Sequence, residues 1–196
     1  MTPRIELTWD DILPMEEYGK MRAERRKAVS ALKKNRRVEV GPYATFYFES
    51  FDTMWHQIHE MLYIERGGEA QIADELAAYN PLIPKGNELV ATVMFEIEDE
   101  ARRKAVLARL GGVEDTISLA FDGEKVAGRP EEDVDRTTAA GKASSVQFVH
   151  FPFTPDQVAK FRKPGTRVVV AIDHPDYAHM AVMPETVRAA LAKDFA

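Results

Sequence analysis

The sequence predicts an α+β fold, with N-terminal helices packed on a mostly antiparallel sheet formed largely by the C-terminal half. Three observations carry this. Helical apolar spacing is confined to about residues 1–80, short β-rich segments bounded by turn residues begin at about residue 87, and the strands do not alternate with helices in a regular βαβ series. No linker-like stretch or repeat divides the 196 residues, so one domain over 1–196 is expected.

Thr8 reads as an N-cap ahead of Asp10 and Asp11 in a first helical turn. A longer helix is expected from about Pro14 to Lys34, with Glu16 and Glu17 at the positive end of its dipole. Its apolar stripe is Tyr18, Met21, Ala28, Val29 and Leu32, and Arg25 falls within that stripe. Arg37 to Ser50 is rich in β-branched and aromatic residues, and Gly41-Pro42 splits it into two short strands. Asp52 or Thr53 is expected to cap a helix running to Glu65. Its face is Met54, Ile58, Met61 and Leu62, with Glu65 projecting near the centre. A further helix spans about Glu69 to Tyr79, followed by turn chemistry at Asn80-Pro81 and Pro84 to Asn87.

The second half begins with an alternating strand, Leu89 to Ile97, and a helix from Glu98 to Leu110 stopped by Gly111-Gly112. Asp122-Gly123 joins the strands Thr116 to Phe121 and Lys125 to Ala127 in a hairpin. Gly128 to Lys142 is polar and aperiodic, a loop or short helix. Ser145 to Phe153 is a strand, and Thr154-Pro155 opens a helix to Phe161. Arg167 to Ile172 and His179 to Val182 read as strands joined by a Pro-containing loop, and Pro184 starts the last helix.

Composition narrows the chemistry. With no cysteine there is no disulfide, thiolate zinc site, iron–sulfur ligation or cysteine nucleophile, so any metal would need His, Asp and Glu. No apolar run approaches the ~20 residues of a membrane helix, and the N-terminus has no apolar signal core, so a cytoplasmic protein is expected. Net charge is −6, yet Lys20 to Arg37 carries nine Lys or Arg against one Glu, leaving −14 for the remaining residues. Arg22, Arg26, Lys33, Arg36 and Arg37 form a candidate basic patch for phosphate, nucleic acid or an acidic partner. No aromatic stacking set or known module accompanies it, which disfavours nucleic acid.

Two histidine clusters are candidate metal or polar sites. On a helix, His56 and His59 are three residues apart and Glu60 follows His56 by four, so all three can face one ion. The order is not that of HExxH enzymes, and Glu-x-x-His is absent from the chain. Asp173, His174, Asp176 and His179 supply mixed oxygen and nitrogen donors at a strand end, or His174 as a base oriented by an aspartate. The alternative for each is structural: a polar helix face, and an Asp-Pro turn. Ser144, Ser145 and His150 lie close together, but nothing marks an oxyanion hole, and GxGxxG, Walker and GxSxG motifs are absent. Arg25 and Glu65 each interrupt the apolar face of their own helix, so each is expected to be paired, with the other as the candidate partner in a buried ion pair.

Val40-Gly41-Pro42, Gln57-Ile58-His59-Glu60-Met61-Leu62, Ala78-Tyr79-Asn80-Pro81-Leu82-Ile83-Pro84, Ser145-Val146-Gln147-Phe148 and Asp173-His174-Pro175-Asp176-Tyr177 together resemble a bacterial family. It is the one numbered thirty-five-oh-one among the domains of unknown function, and the resemblance spans essentially the full length. It implies no catalytic residues. It does imply a gene encoded beside those for rubrerythrin-like and iron–sulfur oxidoreductase proteins, hence, by association, a role near peroxide defence or electron transfer. Lacking cysteine and Glu-x-x-His, this chain is expected to be an accessory or partner-binding protein rather than the redox protein itself. A metal-binding protein or metal-dependent enzyme using a divalent ion is the alternative, and nucleic-acid or phosphate binding through the basic helix the second.

Overall fold

Two antiparallel sheets share one apolar interior, two helices pack on the outer face of the larger sheet, and a third packs on one of these. The computed structural model describes residues 3–131 and 137–196. In chain order, the elements are a 3-10 turn at Trp9–Asp11, then α1 (Met15–Lys34), β1 (Arg37–Val40), β2 (Ala44–Phe48), α2 (Phe51–Glu65) and α3 (Glu69–Tyr79). The second half contributes β3 (Glu88–Phe95), α4 (Glu100–Leu107), β4 (Ile117–Phe121), β5 (Glu124–Ala127), β6 (Arg129–Pro130), β7 (Val146–Pro152), α5 (Pro155–Arg162), β8 (Val169–His174), β9 (Tyr177–Val182) and α6 (Glu185–Leu191). Among the described residues no helix is long and apolar enough to cross a membrane.

The α+β class holds, with a difference in layering. There are two sheets, ordered β1-β2-β3-β7-β6 and β5-β4-β8-β9, and β1 and β2 come from the helical half of the chain. Strand alternation explains the arrangement. In β3, Leu89, Ala91, Val93 and Phe95 join Phe46, Val149 and Phe151 in a core shared with Leu119, Val170 and Ile172 of the second sheet. Val90 points the other way, into a separate cluster with Met54, Ile58 and Leu62 of α2 and Leu76 of α3. β3 thus buries side chains on both faces.

Local signals mostly locate the elements. Asp122 (φ 45°) and Gly123 (φ 76°) make the tight hairpin turn between β4 and β5. Gly41 (φ 69°) turns β1 into β2 where the second sheet approaches: a Cβ there would lie 2.6 Å from Cγ of His179. Tyr177 fixes the same junction. Its hydroxyl donates to the Val40 carbonyl (2.7 Å) and accepts from the N–H groups of Tyr43 and Ala44 (both 2.9 Å).

Three boundaries differ from expectation. Ser50, not Asp52 or Thr53, caps α2: the Ser50 N–H donates to Thr53 Oγ1 at 2.8 Å while the Thr53 N–H donates to Ser50 Oγ, so Thr takes the place usually held by Glu or Gln. The segment 173–178 is not a long loop. β8 and β9 run on to His174 and from Tyr177, leaving only Pro175-Asp176 as the turn. Within Gly128 to Lys142, β6 pairs with β7, and 132–136 lie outside the described residues.

Candidate functional site

α1 and α2 meet through a polar, aromatic seam. Tyr18 is fully buried on α1 and stacks edge-on against Trp55 and Tyr63 of α2. Its hydroxyl donates to Glu60 Oε1 at 2.7 Å, and Arg22, one turn further along α1, holds both Glu60 oxygens at 2.8 and 2.9 Å. The Arg22 fork, aided by Tyr18, brings the Glu60 carboxyl down to about 2, against the upward push of its burial. Burial first, then the adjacent carboxylate, push the Tyr18 hydroxyl well up. Because Tyr18 gives its proton to Glu60, the 3.2 Å contact with His56 Nδ1 assigns the imidazole proton to Nδ1.

His59 is fully buried, and both ring nitrogens are engaged. Nε2 accepts from the Leu13 N–H at 3.0 Å, so Nδ1 carries the proton and donates to the Trp55 carbonyl at 2.7 Å. Burial holds its basicity below the usual histidine value, consistent with a neutral ring. Trp55 stacks on this ring at 3.8 Å and donates its indole N–H to the Asp11 carbonyl. Together they pin residues 11–13 onto α2.

The candidate metal sets do not assemble. His56 and His59 look into different surroundings, the second with no free nitrogen, and Glu60 is committed to Arg22 and Tyr18. In the β8–β9 hairpin, the buried His174 has Nε2 at 3.1 Å from the Gly111 carbonyl, and its Nδ1 accepts from the Asp176 N–H. Asp176 pairs with Arg109. Antiparallel register matches Ile172 to His179 and Asp173 to Ala178, which sends Asp173 to the face opposite His174 and His179. Among the described residues no three His, Cys, Asp or Glu side chains are grouped to hold a metal ion.

Nor do Arg25 and Glu65 form a buried pair. Both are exposed: the Arg25 guanidinium lies 4.7 Å from the Trp55 ring centroid, and Glu65 accepts from Gln71 Nε2 at 2.7 Å. The α1 face is narrower than its apolar spacing suggests, burying only Tyr18 and Val29, so Arg25 sits at the margin of the seam. Glu65 ends α2, where Arg66 turns left-handed and releases it to solvent. The basic patch also divides. Arg22 is spent on Glu60, and Arg36 is buried against Asp194. Arg26, Lys33 and Arg37 remain, joined by Lys34, around a groove of about 370 Å³.

Composition and spacing did not single out two further features, an apolar groove and the carboxylate partners of His150. A groove of about 720 Å³ lies between residues 9–16, α2 and α3, walled by Ile12, Leu13, Met15, Leu62, Tyr63 and Ile72, with Trp9 52% exposed at its edge. An isolated Trp in a 3-10 turn was its one signal. On the helix-facing side of the larger sheet, His150 is held between Glu131 (3.5 Å) and Glu88 (3.0 Å), and these carboxylates raise it to about 9 despite its burial. His150 is therefore a charged strut, and among the described residues no serine hydrogen-bonds to it; Ser144 Oγ accepts instead from the Val146 N–H.

The elevated His150 value has a pH consequence. The folded form binds the proton more tightly than the unfolded chain, so the stabilisation is complete below about 6.5 and is lost as pH rises through about 9. The melting temperature of the wild type is expected to fall between neutral and alkaline pH, and His150→Gln to remove most of that dependence. Parallel curves for the two proteins would contradict the charged strut.

The sequence matches the family described as protein of unknown function (DUF3501) over residues 6–195. No curated protein matches it. Among solved structures it is similar to a novel protein of unknown function from Burkholderia pseudomallei, with 40% identity, a TM-score of 0.89, and coverage of 97% of this chain and 99% of that one. A match over nearly the whole length, with that identity and backbone agreement, establishes that the chain belongs to the DUF3501 family.

Proposed function

We propose that this protein is a non-catalytic accessory protein that docks onto a protein partner in a redox or peroxide-stress system. The observation carrying this reading is the apolar groove edged by the half-exposed Trp9. Large aromatic side chains left in water beside an apolar trough are characteristic of interface anchors. Hydrogen bonds to Trp55 and His59 hold residues 11–13 in place, so one wall of the groove is set before any partner arrives. Glu16, Arg66 and Glu69 give the rim charges of both signs. An amphipathic helix with apolar residues at i, i+3 or i+4, and i+7 fits such a trough. The family resemblance supplies the partner class, a rubrerythrin-like or iron–sulfur oxidoreductase protein.

The test is binding of purified rubrerythrin-like and iron–sulfur oxidoreductase proteins from one bacterium to immobilised wild type and to Trp9→Ala. One of them is expected to bind saturably, and Trp9→Ala to weaken it by roughly tenfold or more. Failure of both to bind, or binding indifferent to Trp9→Ala, overturns the reading, as does substrate turnover by the purified chain alone.

A further inference from the structure

At the other end of α1 lies a groove of a different kind. Arg26, Val29, Ser30, Lys33 and Lys34 project from the helix, Arg37 and its cross-strand neighbour Tyr47 form the strand side, and His56 of α2 closes it. The four cations have no ion-pair or side-chain hydrogen-bond partner among the described residues, in a chain of net charge −6. Two carboxylates beside it are committed elsewhere, Glu60 to Arg22 and Tyr18 and Glu96 to Thr45 and Tyr47, while Glu39, on the same strand face as Arg37, is not in ion-pair contact with it. No carboxylate lines the groove. Its positive field registers on His56, which burial and then Lys33, Arg26 and Arg22 hold below the usual histidine range against the pull of Glu60.

We propose that this groove binds a small molecule through a diphosphate or similarly compact polyphosphate group. Four uncompensated cations match the charge of two linked phosphates, and Arg26 and Arg37 present planar forks suited to phosphate oxygens. From Arg26 to Lys34 is about 12 Å along the helix, the reach of a short polyphosphate with its attached group. Size decides against a nucleic-acid duplex. A duplex calls for a longer basic run, and Arg22 on α1 and Arg36 just past its end, which would extend the run on either side of the groove, are held by Glu60 and Asp194. The site shares no lining residue with the Trp9 groove, so it stands or falls separately from the docking reading.

Calorimetric titration with inorganic pyrophosphate at low salt tests the site. Saturable binding of one pyrophosphate per chain is expected, weakened about tenfold by Lys33→Ala, at a half-buried position, and by Arg37→Ala, at an exposed one, and unaltered by Lys27→Ala, an exposed cation on the same helix outside the groove. Circular dichroism checks that each variant is folded, and the double charge-conserving variant Arg37→Lys/Lys33→Arg is expected to retain most of the affinity. Absence of saturable binding overturns the proposal. An equal loss in Lys27→Ala also overturns it by assigning the effect to diffuse charge. So does tighter, steeply salt-dependent binding of a short DNA duplex that pyrophosphate fails to displace.

Discussion

Replacing Arg36 by alanine is expected to destabilise the fold by about 3–5 kcal/mol, the usual cost of leaving a buried charge without its partner. Only 4% of Arg36 is exposed, and its guanidinium ties three pieces of chain together. Nε donates to the Phe48 carbonyl at 2.9 Å and Nη2 to the Glu49 carbonyl at 2.7 Å, where β2 leaves the sheet for α2. Nη1 and Nη2 grip both oxygens of Asp194, beyond α6 and 158 positions away. Burial raises the Asp194 carboxyl and Arg36 pulls it down, so removing the guanidinium leaves an acid that must take up a proton or reach water. Arg36→Lys should recover little, because an ammonium cannot serve two carbonyls and a carboxylate in that planar arrangement. Urea unfolding of wild type, Arg36→Ala and Asp194→Asn checks this, and a loss below about 1 kcal/mol for Arg36→Ala would mean the contact is no more than a surface ion pair.

His59→Ala is expected to cost about 3–4 kcal/mol, through a cavity under Trp55 and the loss of both ring hydrogen bonds. The Leu13 N–H loses its acceptor, and the Trp55 carbonyl loses its side-chain donor. The effect should also reach the surface. Leu13 walls the Trp9 groove, so hydrogen exchange at residues 9–15 should rise more than in the sheets. His59→Gln, able to accept from Leu13, should restore part of the protection. If His59→Ala accelerates exchange uniformly across the sheets instead, His59 supports the fold in general and does not organise that segment.

Local physics was legible in the chain. The α3 bounds follow from its apolar spacing and the turn residues Asn80-Pro81 after it, the β4–β5 hairpin from Asp122-Gly123, and α5 from Thr154-Pro155. In each case the signal and its consequence lie within a few residues of each other. The site was legible only in its parts. Helical spacing put His56, His59 and Glu60 near one another, yet it could not show that Leu13 and Trp55 would use up the nitrogens of His59. The expected Arg25–Glu65 pair failed for a related reason: phase on one helix says which direction a side chain faces, not how far the neighbouring helix extends over it. Arg25 faces α2 at its edge, where an aromatic ring and water both reach it.

Composition and periodicity by themselves determined the α+β class, the antiparallel pairing, the lack of thiol chemistry and the basic bias of α1, because these depend on residue type and on neighbours close in the chain. Only the tertiary structure decided the split into two sheets, the burial of Arg36 against Asp194, and which cations of α1 stay unpaired. Those outcomes turn on contacts between residues tens to more than a hundred positions apart. Such contacts satisfy or strand a charge only once the chain has closed around it.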